Sequence, residues 1–253
     1  MQGARFFCRD IGESVAVLSV EESHYAVSVR RVRPGDEIQL FDGAGREATG
    51  IVECAARRLE ATITGVSERP FDLSCQLTLA VAMPKASRQG YLIEKCVELG
   101  VAALWPIVSD RSVVKPRAGA AARWTRRAIE AARQSERAWV PAIASPVAFR
   151  EVFRRVSDFD RACLADLGAS ATSLVDTLAH EPRACSVLVC VGPEGGWSDA
   201  ERRCALAAGA SAVTLGPTVL RTETAAVAAC AAVAVSCASV DSGGVKRPTG
   251  PSR

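Results

Sequence analysis

The sequence predicts an α/β protein: a parallel sheet with helices on both faces, preceded by a small barrel of short strands. Three observations carry this. After about residue 72, strand-like and helix-like stretches alternate through the chain, the pattern of a parallel sheet. Before it, short strands punctuated by glycine turns follow one another closely, as in small barrels. Between Val187 and Glu201 an apolar run meets a glycine loop and a helix start, which in open α/β sheets is where ligands sit.

Phe6 and Phe7 begin a strand, and Val15–Val20 alternates as another. His24 and Tyr25 open a helical turn that leads to Arg30, Arg31 and Arg33. Pro34-Gly35-Asp36 turns the chain into Ile38–Phe41, and Asp42-Gly43-Ala44-Gly45 turns it again, so a hairpin is expected. Ala61–Val66 is a further strand, and Pro70 marks the boundary, placed near residue 72. The expected units are 1–72, 73–240 and a Gly/Pro/Ser-rich tail over 241–253, whose composition suits disorder.

In the second unit, Leu77–Met83 is a strand and Ser87–Leu99 a helix stopped by Gly100. Val101–Val108 is a strand and Ala120–Ala138 a long helix. Val147–Val156 is a shorter helix, Arg161–Asp166 a strand and Ser173–Ala179 a short helix. Cys185–Val191 is uncharged and rich in β-branched residues, the mark of a strand buried on both faces. Gly192, Gly195 and Gly196 follow, and Ser198 stands three residues before Glu201, a capping box. Asp199–Ala208 is a helix closed by Gly209, Ser211–Leu215 the last strand, and Thr222–Ser239 the final helix. Ala225–Val235 is its alanine-rich centre, shorter than the roughly 20 residues of a membrane span.

Composition narrows the function. Net charge is +3, but residues 1–72 hold nine Lys/Arg against twelve Asp/Glu. The positive excess sits in 111–137, where eight cations face only Glu130 and Glu136. Such a block suits an anionic polymer, although a helix face of paired charges would read the same way. The ten cysteines form no C-x-x-C pair and there are two histidines; no metal site is expected. No secretory signal is present, so the thiols are expected to be reduced and the protein cytoplasmic. His180 reads as a surface-loop residue.

The loop Gly192-Pro193-Glu194-Gly195-Gly196 is acidic at Glu194, which disfavours a phosphate and favours a ligand with a positive centre. A second strand–loop–helix junction, Leu215-Gly216-Pro217-Thr218-Val219-Leu220-Arg221-Thr222-Glu223, repeats the arrangement. It brings Arg221 and Glu223 to a helix start. An Arg221–Glu223 or Arg221–Glu194 ion pair between the loops is the structural alternative to a ligand role.

GPEGGWSDAE at 192–201 and LGPTVLRTETA at 215–225 resemble the two signature motifs of the ribosomal RNA small subunit methyltransferase E family, within the SPOUT superfamily. Lys95, Glu98-Leu99-Gly100-Val101, Arg111-Ser112-Val113 and the Glu130–Pro141 stretch are similar to further family segments. So are His24–Asp36, where Tyr25 replaces a second histidine and Arg30 a leucine, and Phe41-Asp42-Gly43. The resemblance implies a PUA-like barrel followed by a SPOUT α/β knot, a homodimer, and a bent S-adenosylmethionine between the knot loops. It implies Val191, Gly192, Pro193, Glu194, Gly195, Gly196, Leu215, Gly216, Val219, Leu220 and Arg221 as cofactor-binding residues. It also implies methylation of N3 of one uridine in 16S rRNA, free or within the small ribosomal subunit. Uracil N3 carries a proton at neutral pH, so a base and a stabiliser of the resulting anion are needed. Arg221 is the candidate stabiliser; Glu223 and Glu194 are both candidates for the base. His24, Arg30, Arg31, Arg33, Arg111, Arg133, Gln134 and Arg137 are the RNA-binding candidates. Two other readings stand beside this one: a SPOUT enzyme acting on another base or RNA, and an RNA-binding relative without chemistry.

Overall fold

A computed structural model describes residues 4–55, 57–116, 119–168, 171–179 and 185–237. The tail over 241–253, the end of the last predicted helix and His180 lie outside these residues.

Five strands form the first sheet: β1 (Ala4–Phe7), β2 (Val15–Val17), then, after helix α1 (Val20–His24), β3 (Glu37–Phe41), β4 (Arg46–Ala55) and β5 (Leu59–Glu68). The order is β1-β3-β4-β5-β2, antiparallel except for the β1–β3 pair. Phe6, Leu18, Ile38, Leu40, Val52 and Leu59 fill its core. The alternation read over Val15–Val20 stops at Val17. Ser19 accepts a hydrogen bond from the Glu22 N–H through its side chain, and this N-cap turns the chain into α1 three residues early. A π-helical turn over Tyr25–Val29 follows.

The second sheet is built from β6 (Gln76–Ala82), β7 (Ala103–Val108), β8 (Ala142–Ile143), β9 (Val147–Ala148), β10 (Arg161–Ala165), β11 (Thr172–Ser173), β12 (Ser186–Val191) and β13 (Ser211–Thr214). All pairs are parallel, in the order β11-β13-β10-β12-β6-β7-β8, with β9 also on β7. Side-chain alternation divides the central strands between two cores. Leu77, Leu79, Val81, Val187, Val189 and Val191 pack under α2 (Ala86–Glu98), α3 (Ala120–Gln134), α5 (Leu174–Ala179) and α7 (Thr222–Ser236). Ala80, Ala82, Leu188 and Cys190 pack under α4 (Phe149–Phe153) and α6 (Asp199–Ala207). The predicted two-sided burial of the central strand is therefore met, and helices cover both faces. No helix among the described residues is long and apolar enough to cross a membrane.

Two helices are shorter than their sequences suggest. The α3 helix ends at Gln134 because Glu136 adopts a left-handed φ of 57°. The Val147–Val156 stretch gives up its first two residues to β9, and only Phe149–Phe153 is α-helical.

The two sheets meet at a tight seam. The 42–45 turn of the first hairpin docks on residues 138–140: Gly45 N donates to Ala138 O at 3.3 Å and Val140 N to Gly43 O at 2.9 Å. An added Cβ at Gly45 would lie 2.5 Å from the Trp139 ring, so only glycine fits. Arginines fasten the rest. Arg137, buried, donates to Asp72 at 2.7 Å and to Val97 O at 2.7 Å. Arg133 pairs with Glu22 at 2.6 Å and stacks over Tyr25. Burial pushes the Glu22 carboxyl above its ordinary range, and Arg133 only partly pulls it back. These two arginines, read from sequence as RNA contacts, are turned inward as structural fasteners. Their reach, across 111 residues to Glu22 on α1 and across 65 to Asp72, is a tertiary fact that composition does not carry.

Arg133→Ala would leave Glu22 buried without its cation and is predicted to cost about 3 kcal/mol of stability. Urea unfolding of the variant checks this, and the salt dependence of RNA binding should stay unchanged.

Candidate active site

The parallel strands end together at one edge, and the site is assembled there. At the end of β12 the loop 192–197 folds over its own tryptophan. Trp197 is buried and donates from Nε1 to Ala165 O at 2.8 Å, which ties the loop to the end of β10. Its ring lies against Gly192, where a Cβ would sit 3.0 Å from Cε2. Gly196, at φ 66°, closes the turn by donating to Pro193 O at 2.8 Å.

The predicted capping box forms. Ser198 Oγ accepts from Glu201 N at 3.2 Å, and Glu201 Oε2 accepts from Ser198 N at 2.8 Å. The buried Glu201 also accepts from Asp110 N at 2.9 Å, and Ser198 Oγ donates to Asp110 at 2.6 Å. Arg111 donates to Gly195 O at 2.9 Å. The turn after β7 is thus strapped to the glycine loop. Arg111 serves that strap.

The second loop, 215–221, crosses beside the first. Gly216 takes φ 139° with open space around its would-be Cβ. Thr222, the first residue of α7, donates from its hydroxyl to Gly192 O at 3.1 Å and so clips the loops together. Between them lies a cleft of about 300 Å³, the low end of the ~300–1,000 Å³ range of small-molecule sites.

Val191, Gly192, Pro193, Glu194, Gly195, Gly196, Leu215, Gly216, Val219 and Leu220 all line this cleft. Arg221 does not; it is the exposed N-cap residue of α7 at the cleft's edge. Its guanidinium makes no ion pair among the described residues, so neither predicted loop-to-loop pair forms. Glu223 is buried and meets Arg88 instead, at 3.2 Å, while its Oε2 has no hydrogen-bond partner. Glu194 is exposed in the cleft wall.

Sequence reading missed the far wall, made by Ala165, Asp166 and Leu167 at the end of β10, with Asp166 held by Arg202 at 2.9 Å. The rule that ligands sit at the carboxyl ends of parallel strands would have found it. It also missed Arg88, for which sequence holds no signal because its partner lies on another helix. Of the RNA candidates, His24, Arg30, Arg31, Arg33 and Gln134 are exposed. Arg30, Arg31 and Arg33 make no side-chain ion pair among the described residues.

Residues 72–234 match the model of an RNA methyltransferase domain, and residues 18–64 that of an RNA methyltransferase PUA domain. The chain is 36% identical to the ribosomal RNA small subunit methyltransferase E of Mycobacterium bovis, over 88% of this chain and 87% of that protein. It is 33% identical to that of Synechocystis, over 87% of this chain and 73% of the relative.

The chain belongs to the ribosomal RNA small subunit methyltransferase E family.

Its solved relatives agree in fold. The family member from Neisseria gonorrhoeae, bound to S-adenosylmethionine, superposes with a TM-score of 0.82 at 30% identity, covering 92% of this chain and 98% of that one. A Legionella pneumophila methyltransferase with the same bound cofactor gives 0.84 at 28% identity, over 93% and 98%. The carboxy-terminal sheet is accordingly the SPOUT fold and the amino-terminal sheet its PUA-like companion. The cleft between loops 192–197 and 215–221 lies within the methyltransferase domain.

Glu201→Ala would orphan two backbone N–H groups at the site's edge. It is predicted to cost about 2 kcal/mol and to speed amide exchange at Asp110 and Ser198, read by urea unfolding and hydrogen-exchange mass spectrometry.

Proposed function

We propose that this chain transfers a methyl group from S-adenosylmethionine to N3 of a uridine in 16S rRNA of the small ribosomal subunit, in the cytoplasm. The observation that carries the reading is the cleft itself: two crossed loops whose walls are glycine backbone and small apolar side chains, beside an arginine with no ion pair among the described residues.

The residues fit the cofactor. Gly196 and Gly216 have open space where a Cβ would stand, so their backbone is unshielded, and Val191, Leu215 and Leu220 supply apolar wall. Glu194 is a carboxylate that a sulfonium tolerates. When bound, the cofactor supplies an electrophilic methyl group.

The protein's own part is to activate uracil N3. Arg221, exposed and unpaired at the start of α7, offers a planar cation to the charge that deprotonation spreads over O2 and O4. Glu194, in the cleft wall and open to solvent, accepts the N3 proton and releases it to water. Glu223, buried and paired with Arg88, holds the α7 start and with it Arg221 in place. The target uridine must leave its stack to expose N3. Arg30, Arg31 and Arg33 on the 1–72 unit, exposed and without an ion pair among the described residues, would track phosphates of the surrounding RNA.

A homodimer belongs to the same reading. Val219, in the cleft wall, is 79% exposed. An exposed apolar side chain at the mouth of a site suits coverage by a second copy of the 73–240 unit.

The test is nucleoside mass spectrometry of 16S rRNA from cells lacking the gene, and from the same cells with the gene restored as wild type or as Arg221→Ala. The expected result is loss of 3-methyluridine, recovery with wild type, and no recovery with Arg221→Ala despite normal protein levels. Disappearance of a different methylated nucleoside would move the target. Full recovery with Arg221→Ala would remove that residue from the chemistry.

A further inference from the structure

The cysteines absorbed none of the function above, and their placement is uneven. Three of them gather at the amino-terminal edge of the second sheet, opposite the cleft. Cys75 immediately precedes β6, Cys185 immediately precedes β12, and Cys237 caps the end of α7.

Backbone hydrogen bonds hold the three together. Ser74 donates to Cys237 O from both its N–H, at 3.1 Å, and its hydroxyl, at 2.6 Å. Gln76 N donates to Cys185 O at 2.7 Å. Cys75 is therefore flanked on either side by residues bound to the other two. Cys75 lies in the apolar cluster against which Cys237 packs. Cys75 is buried, Cys237 half-buried and Cys185 exposed.

A second pair, Cys96 on α2 and Cys230 on α7, shares the same cluster, but both are fully enclosed. No oxidant reaches them. Of the two pairs, Cys75 and Cys237 combine proximity with access.

We propose that Cys75 and Cys237 are a redox modification site, forming a reversible disulfide that fastens the end of α7 to the start of β6 when the protein meets a peroxide.

The half-exposed Cys237 reacts first. Its thiolate attacks one peroxide oxygen, an S–O bond forms, the O–O bond breaks, and the hydroxide released takes up a proton as water. Cys75 then attacks the sulfenic sulfur. The S–S bond forms, the S–O bond breaks, and the departing hydroxyl leaves as a second water with the Cys75 proton. Two thiols lose two electrons and the peroxide gains them. Burial raises the Cys75 thiol's pKa, so the more accessible Cys237 is the thiol that meets peroxide first.

The bond would close a loop spanning the whole second unit, and such long loops restrict the unfolded chain most. It lies at the other end of α7 from Thr222 and Gly192, so the cleft stays as it is. The consequence is a more unfolding-resistant methyltransferase under oxidative conditions.

The full chain is treated with a small excess of hydrogen peroxide, alkylated, digested without reduction and mapped by mass spectrometry. The expected result is a Cys75–Cys237 linked peptide, reversed by dithiothreitol, with Tm raised by roughly 5 °C. Cys237→Ser should abolish the link and the shift; Cys185→Ser should keep both. A Cys75–Cys185 link, disulfide-joined dimers through Cys185 alone, a Cys237 that stops at sulfinic acid, or thiols left unreacted would each overturn the proposal. So would a linked peptide with an unchanged Tm.

Discussion

The hydrogen bond from the Thr222 hydroxyl to Gly192 O is the contact on which the site depends. It joins the first residue of the last helix to the loop that leaves the central strand. Without it, two glycine-bearing loops would be two mobile connections at a sheet edge. With it, they are opposite walls of one cleft. The other restraints serve the same end. Trp197 pins the first loop to β10, and Glu201 binds it to the turn after β7. A site made largely of backbone needs such external bracing, because glycine supplies freedom rather than rigidity.

A similar economy holds the two sheets together. The seam is a glycine turn pressed on Trp139 and two arginines, Arg133 and Arg137, whose charges are answered across it. Arg5 bridges from β1 to Glu47 at 2.6 Å and to Arg137 O at 2.9 Å, so even the seam's cations are cross-linked by one another's backbone. Removing one such partner strands the other in a dry setting. The barrel is therefore held in a fixed relation to the cleft, with Arg30, Arg31 and Arg33 on its outside.

Much of this was legible in the sequence, for reasons that are local. The uncharged run ending at Val191, the capping box at Ser198 and Glu201, and the glycine stops after α2 and α6 are encoded within a few residues. Ten of the eleven residues assigned to the cofactor line the cleft, because a glycine loop between a buried strand and a helix start has little else to do. What was illegible was pairing at a distance. Nothing near Arg133, Arg137 or Arg111 in sequence announces Glu22, Asp72 or the Gly195 carbonyl. A block of cations looks alike whether it faces a nucleic acid or its own protein. The early ends of α3 and of the Val15–Val20 strand have the same origin: a left-handed Glu136 and a Ser19 cap are decided by where the chain must go next.

The central claim is that loops 192–197 and 215–221 act as one cofactor site. Hydrogen-exchange mass spectrometry of the full chain, with and without S-adenosylmethionine, tests it most directly. The account predicts that the cofactor slows exchange in both loops together, through the first turn of α7, and leaves residues 30–33 unchanged. Protection confined to one loop, or centred on the barrel, would contradict it.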